Sequence, residues 1–141
     1  MSRIYVASSW RNPHQPGVVS RLLEWGHEVY DFRHPTSGTS GFQWSEIDPG
    51  WQDWTPLQYR QALQHRVALE GFDSDYQAMQ WADTCVLVLP CGRSAHAEVG
   101  WMGGTGKRTL VLLNGATEPE LMYLLFGEIC VNMDELKRAL E

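Results

Sequence analysis

Val86-Leu87-Val88-Leu89-Pro90-Cys91-Gly92-Arg93-Ser94-Ala95-His96-Ala97-Glu98-Val99-Gly100-Trp101 is the stretch that decides the fold. A fully apolar run stops at a proline, passes through a glycine-containing turn and re-enters a helical pattern. In an open α/β sheet this is the carboxyl edge of a central strand, where ligands bind. The turn brings Arg93, Ser94, His96 and one carboxylate, Glu98, to that edge. Polar groups gathered beside a buried strand suggest a site rather than a plain surface.

Working outward, residues 4–7 read as a short buried strand. Residues 18–25 carry Val18, Val19, Leu22 and Leu23 at helical spacing, with Gly26 placed to end that helix. Residues 28–31 form a second strand, a βαβ-like start. Residues 57–69 and 76–81 look helical, and 85–89 is the central strand. Residues 95–102 are a helix stopped by Gly103, Gly104 and Gly106, and 109–113 are a fourth strand. Helices over 118–126 and 134–140 flank a short fifth strand at 129–131. The alternation predicts an α/β fold: a flavodoxin- or Rossmann-like three-layer sandwich with a five-stranded, mainly parallel sheet covered on both faces. With no internal repeat and no linker, residues 1–141 read as one domain. The exception to periodicity is 33–54, a long loop containing Gly38, Gly41, Pro49 and Gly50 together with Trp44, Trp51 and Trp54. Loops of this length in compact domains are usually functional or disordered, and the tryptophans favour function because disordered segments are poor in aromatics.

Hydrophobic content of 43% and charged content of 20% are those of an ordinary soluble globular protein. A net charge of −6 argues against general binding to nucleic-acid backbone. No apolar run approaches ~18 residues, so no membrane span is expected. Met1–Val6 enters a strand pattern directly, without a signal-like apolar region. Three cysteines, Cys85, Cys91 and Cys130, form no CxxC pair and fit a reducing cytoplasm. The five histidines show no metal-ligand spacing, so neither a metal site nor another cofactor is expected.

Each candidate group has a bland reading beside the functional one. A first-turn Glu98 is explained by the helix macrodipole alone, although a capping box from Ser94 is not, since Glu98 is four residues on rather than three. Arg93 and Ser94 sit where helix N-terminal N–H groups point outward, a natural anion site; the bland alternative is an N-cap serine beside a solvated arginine. Ser8, Ser9 and Arg11 follow the first strand in the same way. If strands one and three are neighbours, both turns face one crevice. Asp75 reaches that crevice only through loop geometry. His96-Ala97-Glu98 with Pro90-Cys91 mimics a zinc-deaminase signature in reversed order and lacks the cage residues. Gly92-Arg93-Ser94-Ala95-His96 lacks the second glycine of a nucleophile elbow.

Tyr5-Val6-Ala7-Ser8-Ser9-Trp10-Arg11, Asp75 with Ala82-Asp83, and Gly92 through Gly100 resemble the nucleoside 2-deoxyribosyltransferase superfamily, which includes the 2′-deoxynucleoside 5′-monophosphate N-glycosidases. The resemblance runs from the first strand to the segment 119–122. It implies Glu98 as the nucleophile at C1′ of the sugar, Tyr5 as its hydrogen-bonding orienter, and Asp75 as a sugar-holding or proton-transferring group. It places Ser9 and Arg11 at a 5′-phosphate. It also implies a homodimer or higher homo-oligomer with shared sites, the neighbour's contribution falling on Met122 and Tyr123. Where the transferases carry an Asp and the monophosphate hydrolases a Ser, this chain has Gly92.

The implied substrate is a small nucleoside or its 5′-monophosphate, with Arg93, Ser94 and Gly92 lining its site and Trp44 available to stack on a base. A nucleophilic glutamate divides glycosidic cleavage into formation and breakdown of a covalent glycosyl-enzyme. Water as the second acceptor gives hydrolysis, and a second base gives transfer. Two other readings stand beside it: an NAD-cleaving glycohydrolase, which also uses a strand-edge glutamate, and a non-catalytic nucleotide-binding sensor. No nucleic-acid or membrane partner is expected.

Overall fold

The computed structural model describes residues 1–35, 40–115 and 118–141. Five strands, β1 (Arg3–Ala7), β2 (Glu28–Tyr30), β3 (Thr84–Val88), β4 (Arg108–Leu112) and β5 (Glu128–Cys130), form one sheet in the order β2-β1-β3-β4-β5. Every pairing is parallel, so the sheet is wholly rather than mainly parallel. Around it lie α1 (Gln15–Glu24), α2 (Pro56–Ala62), α3 (Arg66–Trp81), α4 (Arg93–Gly104) and α5 (Met133–Leu140). This is the three-layer α/β sandwich that the alternation predicts. Among the described residues no helix is long and apolar enough to cross a membrane.

Strand periodicity assigns the two faces. Ile4, Val6, Val86, Val88, Leu110 and Leu112 pack with Val18, Val19 and Leu22 of α1 and with Leu136 and Leu140 of α5. The alternate residues, Tyr5, Ala7, Cys85, Leu87 and Val111, pack with Ala78 and Met79 of α3 and Ala95, Val99 and Met102 of α4. Because successive side chains point to opposite faces, Tyr5 is committed to the α3–α4 side. That parity sets up the site.

Several boundaries differ from the periodicity. The apolar spacing over 57–69 divides at residues 63–65 into α2 and α3, where the His65 ring accepts from the Val67 N–H at 3.1 Å and caps a new helix. Helix α3 then runs unbroken through Gly71 and Ser74, so Asp75 lies on a helix rather than in a loop. Gly103 and Gly104 remain helical; the stop is Gly106, whose φ of +87° suits glycine. The helix expected over 118–126 is a short 3₁₀ segment, Leu121–Leu125. Four of its apolar side chains, Leu121, Met122, Leu124 and Leu125, stay exposed, so there is no buried face to hold a longer helix.

The 33–54 loop is packed down rather than loose where it is described; residues 36–39, including Gly38, lie outside the described residues. Phe42 and Trp44 meet edge to face at 4.7 Å, and Trp44 meets Trp54 at 5.8 Å. The Trp54 indole N–H donates to Asp48 at 2.8 Å. Two glycines fasten this strap. A Cβ at Gly41 would collide with the Phe32 carbonyl oxygen and come within 2.7 Å of Trp10 Cζ2, and one at Gly71 would lie 3.0 Å from Phe42 Cβ. Gly41→Ala is therefore expected to lift the strap and destabilise the chain by about 1–3 kcal/mol, the usual range for overpacking. Thermal unfolding checks this, and an unchanged melting temperature would show that the strap has slack.

Candidate active site

The sheet reverses its winding between β1 and β3, and in open α/β folds the crevice outside the carboxyl ends of such strands holds the ligand. Here the two turns are tied together. The Ser8 hydroxyl donates to the Val88 carbonyl at 3.0 Å, and the buried Asn12 amide donates to Ser8 Oγ at 3.1 Å and to the same carbonyl at 3.3 Å. Arg33 braces the first turn from outside, donating from Nη2 to the Trp10 and Asn12 carbonyls at 2.8 and 3.0 Å. Its guanidinium also lies 5.2 Å from the centre of the Trp10 ring.

Between these turns and the strap opens a cavity of about 620 Å³, lined among others by Ser9, Arg11, Gly92, Arg93, Ser94 and Trp44, with Tyr30, Asp75 and Glu98. The volume suits a small organic ligand. Glu98 reaches it because of its place on α4. Ala95, Val99 and Met102 form the buried stripe of that helix, and Glu98 lies on its flank, three residues after Ala95. The helix starts at Arg93 with Gly92 as N-cap and has no acidic residue in its first turn. Glu98 is thus one turn too far along for the macrodipole to explain it, and Ser94 is not the N-cap.

The Tyr5 hydroxyl donates a hydrogen bond to Glu98 Oε2. Burial pushes the Tyr5 phenol far above its ordinary range, with the Glu98 and Asp75 charges adding to the rise, so the proton stays on the phenol. Burial also pushes the Glu98 carboxyl up to about 7; the Tyr5 bond pulls it down, and the Asp75 charge raises it again. Desolvation likewise raises the Asp75 carboxyl, against the pull of its bond from Tyr30. The Tyr30 hydroxyl lies 2.8 Å from Asp75 Oδ1 and 3.1 Å from Ser74 Oγ. Tyr5 and Tyr30 are register partners on adjacent strands, their rings stacked at 5.3 Å. Each tyrosine hydrogen-bonds one carboxylate, an arrangement able to hold two acids in different protonation states beside one ligand.

Not every polar group of the edge turns inward. The His96 Nδ1 donates to the Gly92 carbonyl at 2.7 Å, and Nε2 lies 2.9 Å from the Tyr123 hydroxyl. Burial, with the Glu98 charge, pushes the Cys91 thiol up to about 11, which keeps it protonated and poorly nucleophilic at neutral pH. Neither His96 nor Cys91 lines the cavity. Tyr123 is buried against His96 within its own chain, whereas Met122 is exposed; neither lines this chain's cavity. Tyr30, Arg33 and Asn12 carry no local motif and were invisible to spacing arguments.

Fold and site together define an α/β enzyme-like scaffold with a desolvated carboxylate at a strand-order reversal. No protein-family model and no curated protein matches the sequence. Among solved structures the chain is similar to a 2-deoxyribosyltransferase from Bacillus psychrosaccharolyticus, with a TM-score of 0.61 and 16% identity over 95% of this chain and 89% of that one. It is also similar to the CMP N-glycosidase BcmB of Clostridium botulinum, with a TM-score of 0.52 and 16% identity over 97% and 96% of the two chains. The chain therefore shares its fold with these two enzymes over nearly its whole length.

Proposed function

We propose that this protein cleaves the N-glycosidic bond of a nucleoside or deoxynucleoside, or its 5′-monophosphate, with Glu98 as nucleophile. The observation that carries the reading is Glu98, desolvated yet lining the cavity at the carboxyl edge of β1 and β3, with the buried Tyr5 hydroxyl bonded to its carboxylate from behind. The fold shared with a deoxyribosyltransferase and a CMP N-glycosidase supports the same reaction class.

In this reading the ionised Glu98 attacks C1′ as the C1′–N bond breaks. The bonding pair leaves with the base, which takes up a proton. Asp75, its carboxyl raised by burial, holds a sugar hydroxyl or passes that proton. Tyr5 keeps the attacking oxygen oriented. Water or a second base then attacks C1′ and releases Glu98, with net retention. Ser9 and Arg11 from one turn, and Arg93 and Ser94 from the other, hold a 5′-phosphate, which favours the monophosphate over the nucleoside. Trp44 contributes a face for the base. The exposed run of Leu121, Met122, Leu124 and Leu125 supports a homo-oligomer with this segment between copies.

The test is incubation with a panel of deoxynucleosides and their 5′-monophosphates, with and without a free acceptor base. Release of base without acceptor identifies a hydrolase, and a new nucleoside in its presence identifies a transferase. No turnover, with nucleotides still bound, would leave a binding module.

Tyr5→Phe keeps the ring and removes the bond to Glu98. A charge-assisted hydrogen bond is worth about 1.5–3 kcal/mol, so kcat/KM is expected to fall by about one to two orders of magnitude. That bond lowers the Glu98 pKa; without it the acid limb of the pH profile moves above 7. Asp75, the other charge facing Glu98, remains in place. A variant with wild-type rate and an unmoved acid limb would reduce Tyr5 to a packing residue.

A further inference from the structure

The cavity is chemically divided. Its strand-edge end carries arginines, serines and carboxylates, whereas the end between the strap and α3 is walled by Phe42, Trp44, Leu63, Leu69 and Phe72. Gln43 supplies the only amide side chain among the described lining residues. An unsubstituted nucleobase has several ring-edge donors and acceptors, and each one buried without a partner weakens binding. This wall has little to pair with them. It does have uncovered apolar surface: Leu63, Leu69 and Phe72 remain 40%, 47% and 65% exposed.

The wall is also held in place before any ligand arrives. Phe42 closes on α3 where Gly71 has no side chain, Trp44 is wedged between Phe42 and Trp54, and Trp54 is tied to Asp48. On the opposite rim, Gly92 has a φ of −105°, open to any residue, and a Cβ there would meet nothing within 4 Å. Neither backbone nor packing requires glycine at that point, so its smallness leaves room for a ligand.

Building on the N-glycosidic reading, we propose that the base subsite takes a nucleobase carrying a bulky apolar substituent. The ring sits against Phe42 and Trp44, and the substituent covers Leu63, Leu69 and Phe72. Selection is then by apolar area rather than by a hydrogen-bond pattern on the base. One phenyl-sized group buried on this wall should tighten binding by about tenfold or more.

The experiment measures dissociation constants by calorimetry on Glu98→Gln protein, which holds substrate without turning it over. Two pairs of probes are compared: dAMP with N6-benzyl-dAMP, and dCMP with N4-benzyl-dCMP. At least one benzyl compound is expected to bind tenfold or more tightly than its parent, and the ratio should fall towards one in the Leu69→Ala, Phe72→Ala double variant. Equal or weaker binding of both benzyl compounds, no binding of either pair, or a ratio that survives the double variant would each overturn the proposal. So would a double variant that changes the oligomeric mass and leaves the ratio intact, because the apolar face would then be a contact between copies. The cleavage reading fails separately: wild-type protein would release no base from any of the four probes, while the affinity ratio still reports on the subsite.

Discussion

Glu98→Gln is expected to lower turnover by several orders of magnitude while raising stability above neutral pH. The loss follows because a glutamine oxygen cannot form the glycosyl ester, and residues that act as a catalytic unit do not substitute for one another. The stability gain follows from the raised carboxyl. Glu98 binds its proton more tightly folded, at about 7, than unfolded, near an ordinary value of about 4.3. Its favourable contribution is therefore fully present below the unfolded value and is lost as pH rises through 7. Glutamine mimics the protonated form, so the variant should gain up to ~4 kcal/mol at pH 8 and almost nothing near pH 4. Rate assays and thermal unfolding at the two pH values check both halves. Near-wild-type turnover by folded Glu98→Gln would end the mechanism, and a sugar ester found by mass on the Glu98 peptide would establish it.

Joint replacement of Arg11 and Arg93 by alanine should erase any preference for a 5′-monophosphate over its nucleoside. Both side chains line the cavity from the two strand-edge turns, and among the described residues neither is in an ion pair with an acidic group. Each guanidinium–phosphate bond is worth about 1.5–3 kcal/mol, or one to two orders of magnitude in kcat/KM. The double variant should lose about two to four on the monophosphate and little on the nucleoside. If both substrates suffer equally, the arginines shape the turns and the phosphate site is elsewhere.

Much of the fold was legible because periodicity changes sharply along the chain. The apolar run ending at Leu89, the turn at Gly92 and the helical return at Ala95 locate a buried strand and the polar edge beside it. Asp75 does line the cavity, but from a helix rather than a loop, and the reason is local. Gly71 and the polar run Asp73-Ser74-Asp75 interrupt the apolar spacing, yet α3 continues through them, with Ala68 buried before the interruption and Ala78 and Met79 after it. The 121–125 segment failed the opposite way. Its apolar spacing looks helical, but those side chains stay exposed, and spacing cannot say whether a face finds something to pack against.

By itself the sequence determined the alternation of strands and helices, the polar edge after β3, and the residue types gathered there. Those are properties of near neighbours, set by local periodicity and turn chemistry. Only the tertiary structure decided what those groups do to one another. The Tyr5–Glu98 bond spans 93 positions and the Tyr30–Asp75 bond 45, and both depend on strand register and on which sheet face α3 and α4 cover. The burial that lifts Glu98 to about 7 is likewise a property of the packed layers, because desolvation depends on everything that excludes water from the carboxylate.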